Sequence, residues 1–178
     1  MQLICSNRLE LIPLTPEVMR TALSDDFEKA GEALGLSIPQ CFVESREVLS
    51  IRLRQIEANP AFQPWSLRAM TIRGSGKMIG QIGFHTLPSA AYLKPFSPDA
   101  VEFGFTVFPQ YRRQGYAREA SIALMEWAHE AHGVNSFILS IRPDNIASQA
   151  LAAQLGFFRV GSYIDEAEGL EEILLRNT

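Results

Sequence analysis

Apolar and polar residues alternate along Arg8-Leu9-Glu10-Leu11-Ile12-Pro13-Leu14, which predicts a first strand. Thr15-Pro16-Glu17 then opens a helix over about 17–24: Thr15 can cap it, and Pro16 suits the first helical turn. A longer helical period covers about 44–58, with Pro39, Pro60 and Pro64 punctuating this half. Trp65–Arg73 and Lys77–Thr86 read as strands. The glycines between them, in Gly74-Ser75-Gly76-Lys77-Met78-Ile79-Gly80, mark a hairpin. A nucleotide loop is the wrong reading there, because no helix starts after it. Residues 87–100 carry Pro88, Pro95 and Pro98 and read as a long loop, of the length that tends to be functional or mobile.

A strand over 101–108 follows. By period two, Val101, Phe103, Phe105 and Val107 share one face and are assigned to the core, while Glu102, Gly104 and Thr106 share the other. Pro109 stops the strand. A helix over about 116–132 places Ala117, Ala120, Leu124, Trp127, Ala128 and Ala131 on one face and ends at Gly133. A strand at 136–142, a helix at about 146–155 closed by Gly156, and a hairpin pattern at 157–176 complete the chain. The order β-α-α-β-β-β-α-β-α-β-β implies an α/β protein, with a mixed sheet and helices packed on it.

At 178 residues the chain suits one domain, expected over 1–178. Its composition, 47 % apolar and 20 % charged, is that of a soluble globular protein. A net charge of −4 argues against a general nucleic-acid binder. Cys5 and Cys41 show neither CxxC spacing nor a disulfide framework and read as reduced thiols in a cytoplasmic protein. The N-terminus has no basic region followed by an apolar one, so no signal peptide is expected. No apolar run is long enough to cross a bilayer, so no membrane partner is expected.

Against the acidic total, Arg112, Arg113 and Arg118 cluster where the strand gives way to the helix. A short glycine-bearing loop at a helix start can aim several backbone N–H groups at one anion, with the helix dipole assisting. Arg112-Arg113-Gln114-Gly115-Tyr116-Ala117 therefore reads as the grip on a phosphorylated cofactor, with Gly115 allowing close approach. His129-Glu130-Ala131-His132 does not meet the zinc spacing, so no metal is expected. No Gly-x-Ser-x-Gly elbow supports a serine hydrolase.

The same six residues resemble the pyrophosphate loop of the GNAT superfamily of acyl-CoA-dependent N-acyltransferases, which reads Arg or Gln, two residues, Gly, one residue, Gly or Ala. A second block is similar downstream: Pro143-Asp144-Asn145-Ile146-Ala147-Ser148, then Leu155-Gly156-Phe157. The wording resembles the branch holding the ribosomal-protein alanine N-acetyltransferases, which also contains enzymes with other acceptors. The resemblance implies a mostly antiparallel central sheet flanked by helices. It implies acetyl-CoA as co-substrate and an amine acceptor, either a protein N-terminus or a small molecule. A homodimer is compatible with it.

On that resemblance, Arg112, Arg113, Gln114, Gly115, Tyr116 and Ala117 hold the diphosphate, Asn145 adds a cofactor contact, and the backbone near Val107 polarises the thioester carbonyl. Asn145 is equally expected as a helix N-cap. Glu102 is a candidate to accept the amine proton, or else a surface or arginine-paired carboxylate. His85 is the alternative base, since histidine titrates near neutral pH. Many relatives carry a tyrosine acid four residues before the glycine, where this chain has Ala152. Ser148 matches a serine proposed to serve in the ribosomal-protein branch, and it also suits the first turn of a helix. The acidic run from Asp165 to Glu172 either faces water or attracts a cationic acceptor. The rival function is a non-catalytic acyl-CoA sensor or binding subunit.

Overall fold

The structure, a computed structural model, describes residues 2–165 and 169–178. The chain forms two compact units. The first holds the described residues up to Gly83 together with Phe105–Ala123, and the second holds Phe84–Gly104 together with the described residues from Leu124 onward.

In the first unit, β1 (Ile4–Cys5), β2 (Leu9–Pro13), β3 (Arg68–Ile72) and β4 (Met78–Phe84) follow one another as antiparallel neighbours. Leu9 and Leu11 are buried while Glu10 and Ile12 are only half-buried, as the alternation requires. β3 starts at Arg68 rather than Trp65, because the Ser66 N–H turns back to the Phe62 carbonyl at 3.0 Å. The turn into β4 carries Gly74 and Gly76 at φ 70° and 63°, confirming the hairpin.

Helix α1 (Pro16–Leu23) is capped as expected: the Thr15 hydroxyl accepts the Val18 N–H at 3.2 Å. A further helix, α2 (Phe27–Leu34), was not expected from the sequence. Asp26 caps it by accepting the Lys29 N–H at 3.1 Å, and Gly35 ends it in the left-handed region. Its Gly31 lies against the next segment, where an added Cβ would sit 2.4 Å from the Leu36 carbonyl oxygen. Helix α3 (Arg46–Ala58) follows a short 3-10 segment. The Phe42 ring from that segment meets Phe27 and Phe108 edge-on, at 6.3 and 6.4 Å.

β5 (Val101–Val107) begins in the second unit, where it pairs in parallel with β6 (Ser136–Ile141) through Val101 and Glu102. β8 (Gly169–Asn177) runs antiparallel to β6 and to β7 (Phe158–Asp165). Helix α4 (Tyr116–His132) precedes β6, and α5 (Ile146–Gln154) follows it. The protein is thus of the expected mixed α/β class, with mostly antiparallel strands and helices between them. The loop at 87–100 is not loose: its Leu93 and Ala100 are buried with Ile138, Ile173 and Leu175. Its Phe96 ring approaches so closely that a Cβ on Gly161 would lie 2.5 Å from it.

Two period-based expectations fail in detail. Phe105 is half-buried rather than core, while Glu102, on the opposite face, is 3 % exposed. Ala131 is exposed, since α4 reaches water in its last turn. Cys5 and Cys41 are both free. Among the described residues no helix is long and apolar enough to cross a membrane.

Candidate active site

Past Val107 the backbone leaves β5 and makes a single 3-10 turn over Pro109–Tyr111. Arg112 is extended, with φ −68° and ψ 163°. Arg113 then adopts φ 61° and Gly115 φ 81°, both left-handed, with Gln114 between them. Left-handed residues in a turn of this kind can aim backbone N–H groups toward one side, as an anion nest does. The nest opens directly into α4 at Tyr116, where the helix dipole adds partial positive charge. A left-handed arginine costs about 1 kcal/mol, and strain of this kind gathers at functional sites. The turn from Arg112 to Gly115 is exposed, so a ligand can reach it. Arg112 itself is tied back, its Nε donating to the Val107 carbonyl at 2.9 Å.

Val107 is held by close backbone packing in the same unit. A Cβ on Gly80 would sit 2.2 Å from the Thr106 oxygen and 3.0 Å from the Val107 Cα. The Phe108 N–H donates to the Ile79 carbonyl at 2.9 Å.

Sequence reasoning missed Arg8, which lies beside the turn. Its Nη1 donates to the Gln114 carbonyl at 3.1 Å, and its Nε to Oε2 of Glu119 at 2.6 Å. Its guanidinium stands 4.7 Å from the centre of the Tyr116 ring. No local signal marks Arg8, because its partners lie more than a hundred residues away.

In the second unit Glu102 and His85 come together. His85 Nδ1 lies 3.3 Å from Oε1 of Glu102, and the His85 N–H donates to the Glu102 carbonyl at 2.8 Å. Tyr92, from the 87–100 loop, donates its hydroxyl to Oε2 of the same carboxylate at 2.5 Å. Glu102 is therefore neither a surface carboxylate nor an arginine partner, as two of the expected readings had it. Burial pushes its carboxyl up, but the His85 hydrogen bond and charge, aided by the Tyr92 hydroxyl, outweigh that and hold it at about 2. For Tyr92, burial first and then the Glu102 charge push the phenol upward, so it stays a donor. Gly104 makes room for the imidazole: a Cβ there would be 2.7 Å from His85 Nε2.

A model of the GNAT acetyltransferase domain matches residues 8–158. The chain belongs to that family. This GNAT protein is 26 % identical over 170 residues to the FsC-acetyl coenzyme A-N(2)-transacetylase of Aspergillus fumigatus, covering 93 % of this chain and 70 % of that protein. Its fold is similar to that of RimL, the ribosomal L7/L12 alpha-N-protein acetyltransferase solved with coenzyme A. The TM-score is 0.67 at 18 % identity, over 99 % of this chain and 98 % of the other. A ribosomal-protein-S5-alanine acetyltransferase from Vibrio fischeri gives 0.65 at 14 % identity, over 99 % and 97 %.

The remaining expected positions of this GNAT chain lie at α5 and at the end of α4. Asn145 caps α5, its Oδ1 accepting the Ser148 N–H at 3.2 Å. Ser148 is half-buried in the first turn, and Ala152 is fully buried. The two α4 histidines have structural partners: His129 Nδ1 is 3.1 Å from the Val134 carbonyl, and the His132 ring meets Trp127 edge-on at 4.8 Å. Of the acidic run, residues 166–168 lie outside the described residues. Within the rest, Glu171 accepts the Tyr163 hydroxyl at 2.6 Å, and Glu172 pairs with Arg159 at 3.2 Å.

Proposed function

We propose that this protein moves an acetyl group from acetyl-CoA to a primary amine, on a protein N-terminus or a small molecule, by direct attack on the thioester. The whole of 1–178 serves as one such domain. The observation that carries the reading is the left-handed pair Arg113 and Gly115 at the start of α4. The names of the A. fumigatus transacetylase and of RimL support the donor and the amine class.

The chemistry follows in order. Backbone N–H groups from Arg113 to Ala117 hold the diphosphate, with the arginine charges assisting and Asn145 adding a contact. The backbone N–H near Val107 donates to the carbonyl oxygen as charge develops on it. The amine nitrogen bonds to the carbonyl carbon, the carbon–sulfur bond breaks, and CoA leaves as its thiolate.

The amine proton goes to His85, with Glu102 as its orienting partner. A buried carboxylate that already accepts the Tyr92 hydroxyl and faces His85 Nδ1 has little room for the amine proton, which disfavours Glu102 as the base. Exposure agrees, since the imidazole is 34 % exposed and the carboxylate 5 %. An anion beside Nδ1 fixes the ring and stabilises the imidazolium once it forms. Ser148 is the candidate proton donor to the thiolate, with Ala152 unable to serve.

Turnover of acetyl-CoA across a panel of amines, followed by release of free CoA, tests the activity. Gly115→Glu places a side chain and a negative charge in the nest. It is expected to abolish calorimetric CoA binding with the circular dichroism spectrum unchanged, and wild-type affinity in that variant would falsify the assignment of the turn.

A further inference from the structure

We infer that Arg8 is a positioning residue for the diphosphate turn, aiming one of its amides and neutralising the carboxylate at the helix start. The inference rests on the reading that this turn grips the diphosphate of the acyl donor.

The first part of the argument is peptide geometry. Arg8 Nη1 draws the Gln114 carbonyl toward itself at 3.1 Å. In a planar trans peptide the carbonyl and the following N–H point in opposite directions. Fixing the Gln114 oxygen therefore fixes the Gly115 N–H on the other side. That peptide joins Gln114 to the second left-handed residue, so its orientation decides whether the nest closes. Arg8 also lies directly against the turn, its Nη2 3.4 Å from where a Gly115 Cβ would be.

The second part is charge. Glu119 sits in the first turn of α4. A carboxylate there competes with any ligand anion for the positive end of the dipole and repels it. Arg8 and its neighbour turn this carboxylate aside. Oε1 accepts the Arg8 N–H at 2.6 Å and the Ser6 hydroxyl at 2.7 Å, while Oε2 accepts Arg8 Nε at 2.6 Å. Burial raises the Glu119 carboxyl, but those hydrogen bonds and the Arg8 charge bring it down on balance, so it is ionised at neutral pH. Without Arg8 the carboxylate would keep only the Ser6 hydroxyl, and its charge at the helix start would stand unneutralised.

The third part is economy. An ion pair whose arginine is 44 % exposed adds little stability. Yet the one side chain meets the Gln114 carbonyl, the Glu119 carboxylate and the Tyr116 ring together. Three contacts around one turn set its geometry rather than the strength of the fold.

The test uses Arg8→Ala, Glu119→Gln and the double variant. Two donors are compared: acetyl-CoA, and S-acetylpantetheine, which has the thioester but no diphosphate. Arg8→Ala is expected to raise the calorimetric Kd for CoA about tenfold or more. Its kcat at saturating acetyl-CoA and its kcat/KM for S-acetylpantetheine are expected to stay at wild-type values. Glu119→Gln in the Arg8→Ala background is expected to recover the part of the lost affinity owed to repulsion, while the part owed to the Gln114 carbonyl stays lost. Equal losses with both donors, or an unchanged Kd in Arg8→Ala, overturn the inference. If Arg8→Ala does not fold, Arg8→Lys keeps the charge without the planar fork and is expected to show the same donor-dependent split in smaller size. Equal losses with both donors in Arg8→Lys overturn the inference too. A wild-type protein that fails to bind CoA overturns the assignment of the turn itself, whereas wild-type binding with an indifferent Arg8 variant overturns only the role of Arg8.

Discussion

Replacing Glu102 with glutamine removes one charge from a site built around it while keeping nearly the same shape. In the folded chain the carboxyl drops from its ordinary 4.5 to about 2. Taken through linkage, that difference is worth about 3 kcal/mol of stability at neutral pH. A carboxyl lowered in the folded state contributes its full share above about pH 4.5 and loses it as the pH falls toward 2. Urea unfolding of wild type and Glu102→Gln, in steps from pH 7 to pH 3, reads this directly. The gap between wild type and variant is expected to be wider near pH 6 than with the carboxyl fully protonated, by about 3 kcal/mol. The gap is expected to shrink steadily below pH 4.5, as the folded protein approaches protonation of the carboxylate. A gap that stays constant from pH 6 to pH 3 would refute the reasoning, because lost packing does not depend on pH whereas a lost charge does.

Other outcomes follow from the same geometry. His85→Ala is expected to lower kcat about 100-fold at neutral pH and to erase the acid limb of the pH–rate profile, and a profile that keeps that limb returns the base role to another group. Asn145→Ala removes the acceptor of the Ser148 N–H and is expected to cost about 1 kcal/mol, a fall in Tm of about 3 °C by calorimetry. A larger drop in CoA affinity than in Tm would show that Asn145 also touches the donor.

The left-handed turn before α4 was legible because its chemistry is local. Arginines, a glycine and a helix start within a few positions imply an anion grip, and φ values of 61° and 81° are what such a loop needs. The hairpin at Gly74–Gly76 and the caps at Thr15 and Asn145 were legible for the same reason. Helix α2 was not, because Gly31 breaks the helical reading of a segment only eight residues long. The glycine is there for contact with the Leu36 carbonyl, which the local pattern cannot reveal. Glu102 misled through its place in the alternation. A carboxylate opposite an apolar face reads as solvent-facing, and its burial depends on Tyr92 and His85, which arrive from a loop and from the end of another strand. Arg8 was invisible for the plainest reason: the value of a charge at the edge of a strand is set by what the fold brings beside it.

The bond from Tyr92 to Glu102 ties the position of a loop to the surroundings of a buried charge. Tyr92 lies in the proline-bearing segment that shares a buried cluster through Leu93 and Ala100. Lengthening or shortening that segment would shift the phenol, and with it the setting of the carboxylate beside His85. Under the proposed role of His85, variants that move Tyr92 are expected to shift the pH–rate profile as well.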